Sequence, residues 1–403
     1  MNLWRMIVDR LYRGKKSHAG ARGRLFGAGL AMFLLATVLT GCAGGARHES
    51  WPGLLVAGDI IYAANLEHVQ AFNTETGKLL WSYPEETQKQ QQLFYSTPVL
   101  AEGYGDYGLL LVAGYKDQTV YALPLGESPA ERPDDPLWTF TQATGQYVGS
   151  GVVADGKFII GNGDGSVYAL NLEDGALAWQ FSTKDRVWAT PVVIEDTLYE
   201  GTIYIASLDH NLYAVDVATG AERWHVQTDG AISATPVYID GALWVGDFSS
   251  TLYQIDLATE QIAWTTTAND WLWASPIADG TKLYFADVGG YVYALDTETH
   301  EMLWSTPTEI DDIIHGRPAL NADGSLLYVA GYKTGTIHAL DTDTGAEMNW
   351  GTVARNPGRL PGDLAADEVN LYTMPILVDE RIQAFELATG KITWNYPSTE
   401  PEN

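Results

Sequence analysis

Three residues ahead of a recurring proline stand Tyr95, Trp188, Ser233, Trp273 and His315, and just upstream lie Tyr147, Arg186 and Trp271. Phenol, indole and imidazole rings at one shared offset are suited to stacking against a peptide or a small planar ligand. Catalytic signatures do not accompany them. The chain has no G-x-S-x-G elbow, no H-E-x-x-H pair and no G-K-[ST] phosphate loop, and its eight histidines lack metal spacing. Gly161–Ser166, "GNGDGS", joins two strand-like runs and precedes no helix, so it reads as a tight turn. "NADGS" at Asn321–Ser325 lacks the alternating acids of a calcium loop and reads the same way. No catalytic residue and no metal site is expected.

The elements that must position these rings come from a repeat. "VQAFNTETGKLLW" ends at Trp81 and "LYAVDVATGAERW" at Trp224, and aligned copies end at Trp138, Trp179, Trp264, Trp304, Trp350 and Trp394. A period near 40 to 45 residues with about four strand-like pieces per unit marks propeller blades. Prolines open the first strand of most units, at Pro52, Pro98, Pro191, Pro236, Pro276, Pro318 and Pro361, with Gly151 in their place in the third. Such positions need no ladder donor. In "YAVDVATGAERW", Asp216 can accept N–H bonds across the turn and Gly220 supplies positive φ. The tryptophan beyond the turn is then an inter-blade staple, its burial contributing roughly 4 to 6 kcal/mol gross. Glu260 and His300 replace the turn glycine in two units. The expected fold is all-β, an eight-bladed propeller of four-stranded antiparallel sheets over residues 50–397.

In a propeller the first strands line the axis, so residues at their beginnings gather at one mouth. Two readings of Tyr95, Tyr147, Arg186, Trp188, Trp271, Trp273 and His315 stand at this point: wedges between blades, or the lining of a binding funnel.

The pattern A-x-D-x-x-T-G-x-x-x-W in "YAVDVATGAERW" and "HALDTDTGAEMNW" resembles the tryptophan-docking motif of quinoprotein-type (PQQ-like) eight-bladed propellers. The resemblance covers residues 50–397. The enzymatic branch of that family, quinone-dependent dehydrogenases, implies pyrroloquinoline quinone with calcium, and many members stack the quinone on adjacent cysteines. This chain has one cysteine, Cys42, and the calcium ligands and catalytic Asp have no assignable counterparts. No cofactor is therefore expected unless the dehydrogenase alternative holds; a ligand-sensing propeller is a third possibility. The outer-membrane-assembly lipoproteins of the family match in size and repeat type, which implies a non-catalytic scaffold with protein or peptide partners in the cell envelope.

Seven basic residues and one acid precede residue 43, leaving 16 basic against 50 acidic side chains, a net −34, in the remainder. That acidity argues against nucleic acid as a partner. The basic leader, the apolar run Leu25–Thr40 and "LTGC" have the layout of an export signal with a lipobox. The expected organisation is a lipoprotein signal peptide at 1–41, a lipidated Cys42 with a linker to 49, the propeller to 397 and a tail at 398–403. The product is expected to be exported and held by lipid on the outer side of the membrane, at the outer membrane where the cell has one, as a monomer or within a complex.

Overall fold

A computed structural model describes residues 51–85, 93–104, 108–126, 131, 135–194, 198–350, 358–376 and 382–397. The leader, Cys42, the linker and the tail 398–403 lie outside the described residues, as do parts of the long insertions.

All regular structure among the described residues is strand. Eight sheets follow one another along the chain, each built from consecutive antiparallel strands. The first runs from Gly53–Ala57 to Leu79–Tyr83, the fourth from Val192–Val193 to Glu222–Gln227, and the eighth from Ala365–Ala366 to Ile392–Tyr396. Seven sheets have four paired strands. In the seventh blade three strands pair fully, and the fourth piece is a single bridge, Leu340 to Glu347, just before Trp350. The arrangement is an eight-bladed propeller.

Burial explains the residue choice. Second strands are covered on both faces and are nearly continuous apolar runs, as in Ile60–Asn65 "IIYAAN" and Ala242–Gly246 "ALWVG". Outermost strands alternate instead: in Leu177–Ser182 only Trp179 and Phe181 are buried. Each blade therefore presents apolar faces to both neighbours, and the core is a series of inter-blade clusters.

The joint between blades is made at the turn between the third and fourth strands. Asp216 Oδ1 accepts from the Thr219 N–H at 2.9 Å and hydroxyl at 2.8 Å, and Asp256, Asp296 and Asp341 hold their own turns in the same way. The Arg223 guanidinium and the Thr219 donors hold the Asp216 carboxyl at about 2. Beyond the turn the register shifts by one residue beside the partner of the tryptophan, at Ala71/Phe72, Ala169/Leu170 and Ala384/Phe385. That bulge turns the indole sideways toward the next blade.

There it lies flat on the neighbour's glycine. A Cβ at Gly345 would stand 2.6 Å from the Trp304 ring, and one at Gly175 would stand 2.5 Å from Trp138; both glycines have φ near +70°. Glycine is therefore required twice over, for its backbone angle and for the missing Cβ. The indole N–H then donates to a carbonyl of the same neighbouring blade: Trp138 to Leu172 at 2.8 Å, Trp179 to Val217 at 2.9 Å, Trp304 to Thr342 at 3.0 Å and Trp350 to Leu387 at 2.6 Å. Trp394 closes the ring on the first blade, donating to Thr74 at 2.7 Å and covering Gly77. Closure needs no exchanged strand.

Trp224 and Trp264 depart from the expected staple. Both stay half-buried, and neither indole N–H reaches a carbonyl among the described residues. The cause lies in the next blade, where Glu260 and His300 occupy the glycine position with φ of 58° and 59°. Their Cβ atoms hold the facing indole away. At the second of these joints His300 compensates by stacking on Trp264, with centroids 4.6 Å apart, and by pairing with Gln254 at 2.9 Å. Trp81 is buried against Leu123 and Leu125 of the second blade, which has no such turn.

Docking depth sets the expected cost of removing each ring. Trp304→Ala should lower unfolding free energy by about 3 to 5 kcal/mol, and Trp224→Ala by less than about 2 kcal/mol. Urea unfolding of the two variants checks the order, and equal losses would remove the role assigned to the glycine.

Candidate functional site

The prolines that open the innermost strands are buried, and the third blade uses Gly151 because the Phe158 ring fills the space; a Cβ there would lie 2.3 Å from it. One residue earlier the chain makes a hydrogen-bonded chain around the axis. Ser150 Oγ donates to the Thr97 carbonyl at 2.7 Å, and the Thr190 N–H donates to Thr235 Oγ1 at 3.0 Å. The Thr235 N–H donates to Ser275 Oγ at 2.9 Å, and the Arg317 N–H to Asp363 at 2.8 Å. Neighbouring inner segments come into backbone contact, so close that a Cβ on Gly149 would lie 2.1 Å from the Trp188 carbonyl oxygen. These contacts fix where the residues two positions further upstream project.

Those residues form a continuous aromatic run across blades four to eight. Trp273 is its hub: its ring lies 6.3 Å from Trp188, 5.3 Å from Phe248 and 5.3 Å from His315, the last two stacked. Phe248 also stacks on Trp271 at 5.2 Å. His315 continues to Tyr332 at 4.5 Å, and the Arg359 guanidinium lies 5.4 Å above Tyr332, with Nη1 3.3 Å from its hydroxyl. Trp188 and Trp273 belong to blades four and six. Their contact spans the fifth blade, which carries the small Ser233 at the same offset. Trp188, Trp271 and Trp273 are half-buried, whereas His315 is 4% exposed.

Of the residues singled out from sequence, Trp188, Trp271, Trp273 and His315 are thus brought together. Arg186 sits beside them on the loop into blade four, half-buried and 3.5 Å from Asp185. Tyr95 is buried and packs at a tilt against Tyr115, centroids 4.4 Å apart. Tyr147 is no part of a funnel lining: it is fully buried in the core with Phe158, Ile160 and Tyr168. It stands one residue further from the strand than the others, at the offset of Val187, Ile232, Leu272 and Ile314, which are all core. A shift of one residue in an extended segment exchanges the outward face for the inward one. Phe248, Tyr332 and Tyr115 are not evident from the offset, because they lie on the turns between second and third strands, and Arg359 is not because it stands two residues, not three, ahead of Pro361. A signal existed for two of them: "GYK" occurs at Gly114–Lys116 and again at Gly331–Lys333, and each tyrosine packs at a tilt against the ring that precedes its own blade.

A rim of tyrosine–aspartate pairs surrounds the run on the same face. Tyr168 donates to Asp164 and Tyr213 to Asp209 at 2.7 Å, Tyr293 to Asp287 at 2.8 Å and Tyr253 to Asp247 at 3.0 Å. Burial, with the carboxylate beside it, pushes Tyr168 up to about 12. Burial raises Asp287 above the usual carboxylate range, against the pull of the Tyr293 hydroxyl.

Among the described residues no group of three or more His, Cys, Asp or Glu side chains is arranged to hold a metal ion. With a single cysteine in the chain, adjacent thiols are lacking as well. The described residues at this mouth thus offer neither an adjacent thiol pair nor such a carboxylate cluster to a calcium-bound quinone.

His315 is the unusual member of the run. Neither ring nitrogen has a hydrogen-bond partner, and burial lowers its pKa from 6.5 to about 4; Asp312 opposes that shift and Lys333 adds to it. The unfolded chain takes up this proton as pH falls through 6.5, whereas the folded imidazole stays neutral down to about 4. Stability is thus fully present above 6.5 and is lost across that window. Between pH 7 and pH 4.5 the protein should lose about 2.5 kcal/mol more than its His315→Phe variant. Parallel pH profiles of unfolding free energy would contradict a neutral buried imidazole.

Three overlapping matches, at residues 129–230, 208–315 and 288–403, identify the family model described as outer membrane protein assembly factor BamB. Among solved structures, the crystal structure of BamB from Moraxella catarrhalis superposes with a TM-score of 0.65 at 18% identity, covering 82% of this chain and 95% of that one. The computationally designed Ika8 protein gives the same TM-score at 13% identity, covering 85% of this chain and 98% of that one. At such identities these likenesses are of fold. No curated protein matches the sequence. With the family matches together spanning 129–403, well over half its length, the chain belongs to the family of the outer membrane protein assembly factor BamB.

Proposed function

We propose that the protein is an exported lipoprotein that works as a non-catalytic scaffold in the cell envelope, holding partner proteins during outer-membrane protein assembly. One observation carries the reading: Trp188, Trp271 and Trp273, each half-buried, are gathered with Phe248 and His315 at one mouth of a rigid ring. Aromatic side chains in a preformed setting are the usual anchors of protein contacts, because they bury much area with few rotamers to fix. The family supports the envelope setting, and Cys42 after "LTG" supports the lipid anchor. The anchor tethers the scaffold to the membrane while the mouth is left to its partner.

Two tests separate these parts. Cys42→Ser should abolish lipid attachment and leave an uncleaved or soluble product in membrane fractionation with mass spectrometry; equal retention, with no lipid mass on the wild type, removes the anchor. For the mouth, a photo-crosslinking residue at position 188 should capture envelope proteins, among them barrel-assembly components. With the crosslinking residue placed at position 186 instead of 188, so that both indoles are kept, Trp188→Ala with Trp273→Ala should lower that recovery at least tenfold, about 1.4 kcal/mol. Because Trp273 packs on three rings, folding of the double variant is checked by circular dichroism, and undiminished capture by the folded variant overturns the mouth as the contact.

A further inference from the structure

Resting on that scaffold reading, we infer that the aromatic mouth takes a cationic segment of its partner. A lysine or arginine side chain is seated on the faces of Trp188 and Trp273 and donates to the unpartnered imidazole of His315.

Four observations converge. First, the run already seats one cation, since the Arg359 guanidinium lies over Tyr332 two rings from Trp273. Indole faces attract such groups more strongly than phenol does. Second, both nitrogens of His315 are buried and unpartnered, and Ser233 Oγ, at the same offset in the blade beneath the Trp188–Trp273 contact, is buried and unpartnered too. Unsatisfied buried polar atoms are costly, and a donor entering beside Trp273 relieves that cost. Trp273 stacks on the face of that imidazole and is half-buried, so the entering side chain reaches the nitrogens by displacing this indole. Third, the imidazole is neutral at pH 7, with a pKa near 4. It therefore accepts from an ammonium or guanidinium without repelling it.

The fourth observation is charge. Asp185, Asp229, Asp270 and Asp311 stand on the loops that lead into the innermost strands, with Asp209 and Asp287 on the turns beside them. With Asp247 and Asp312 on the same turns and loops, they outweigh Lys184, Arg186, Arg317, Lys333 and Arg359, of which Arg186 is paired with Asp185 and Arg359 lies over Tyr332. Aromatic faces, a neutral acceptor and surrounding carboxylates together select a cation over an anion or a neutral side chain.

The test is a titration of the mature protein with three capped peptides: (Arg-Gly)3, its citrulline counterpart and (Glu-Gly)3. Binding is followed by tryptophan fluorescence and calorimetry. The arginine peptide should bind at least tenfold more tightly than either control. Trp188→Leu with Trp273→Leu should remove at least tenfold of that affinity, and His315→Phe, which keeps the packing, about fivefold. Equal binding of the citrulline or glutamate peptide overturns the inference. Arginine binding indifferent to all three substitutions does so as well, because it then reflects the overall acidity. Competition keeps this apart from the scaffold reading. Partners captured at position 186 but not displaced by the arginine peptide sink the cationic segment and leave the scaffold standing, whereas no capture at all sinks the scaffold.

Discussion

An indole lying flat on the glycine of the next blade is the contact on which the rest of this structure depends. A single four-stranded sheet cannot bury both of its apolar faces, so a blade is stable only between two neighbours. The docked tryptophan sets that spacing, because its ring meets backbone rather than a flexible side chain, and its N–H finds one fixed carbonyl. Repeated at five of the eight joints and closed by Trp394 on Thr74, the contact fixes the angle between those blades, while Trp81 packs on Leu123 and Leu125 at the first. The inner segments then meet closely enough for the threonine and serine hydrogen bonds near the axis. The mouth inherits its geometry from a contact on the opposite face of the molecule.

Two consecutive joints break this rule, and they are informative together. Blades four to five and five to six lack the turn glycine, and there Trp224 and Trp264 are less deeply docked. On the other face, Trp188 of blade four reaches Trp273 of blade six, and Phe248 of blade five stacks on the same ring. At these two joints the outer indoles sit shallower, and further aromatic contacts are made at the axis. The inward faces of these rings hold the joints, and on the proposed scaffold reading the half-exposed remainder is what is left to a partner.

The blades were legible in the sequence because their causes are local. Alternation within strands, a proline at strand starts and a glycine four residues before a tryptophan each act within one unit. The depth at which Trp224 docks was not legible, because it is decided by Glu260 in the following blade. Likewise Tyr147 shares its residue type with the funnel candidates, but its offset is that of Val187 and Leu272, and offset decides the face. Phe248 and Tyr332 come from turns between the second and third strands, which no spacing to the prolines reveals. Cys42 and its leader lie outside the described residues, and their reading still rests on the order basic, apolar, small, cysteine.

The rim gives the electrostatics of the mouth the same fixed character. Asp247 and Asp287 are fully buried, yet each accepts from a tyrosine hydroxyl and from backbone N–H groups: Asp247 from Gly230, Ser249 and Thr251, Asp287 from Asp270 and Tyr291. Donors that belong to the turn itself offset the desolvation of these carboxylates, so each blade builds its acid into its own fold. Charge held in this way is not swept aside by side-chain motion and is screened less than charge on exposed lysines and glutamates. On the proposed scaffold reading, a partner approaching this mouth meets a field set by the blades, which sorts its charge before any indole is touched.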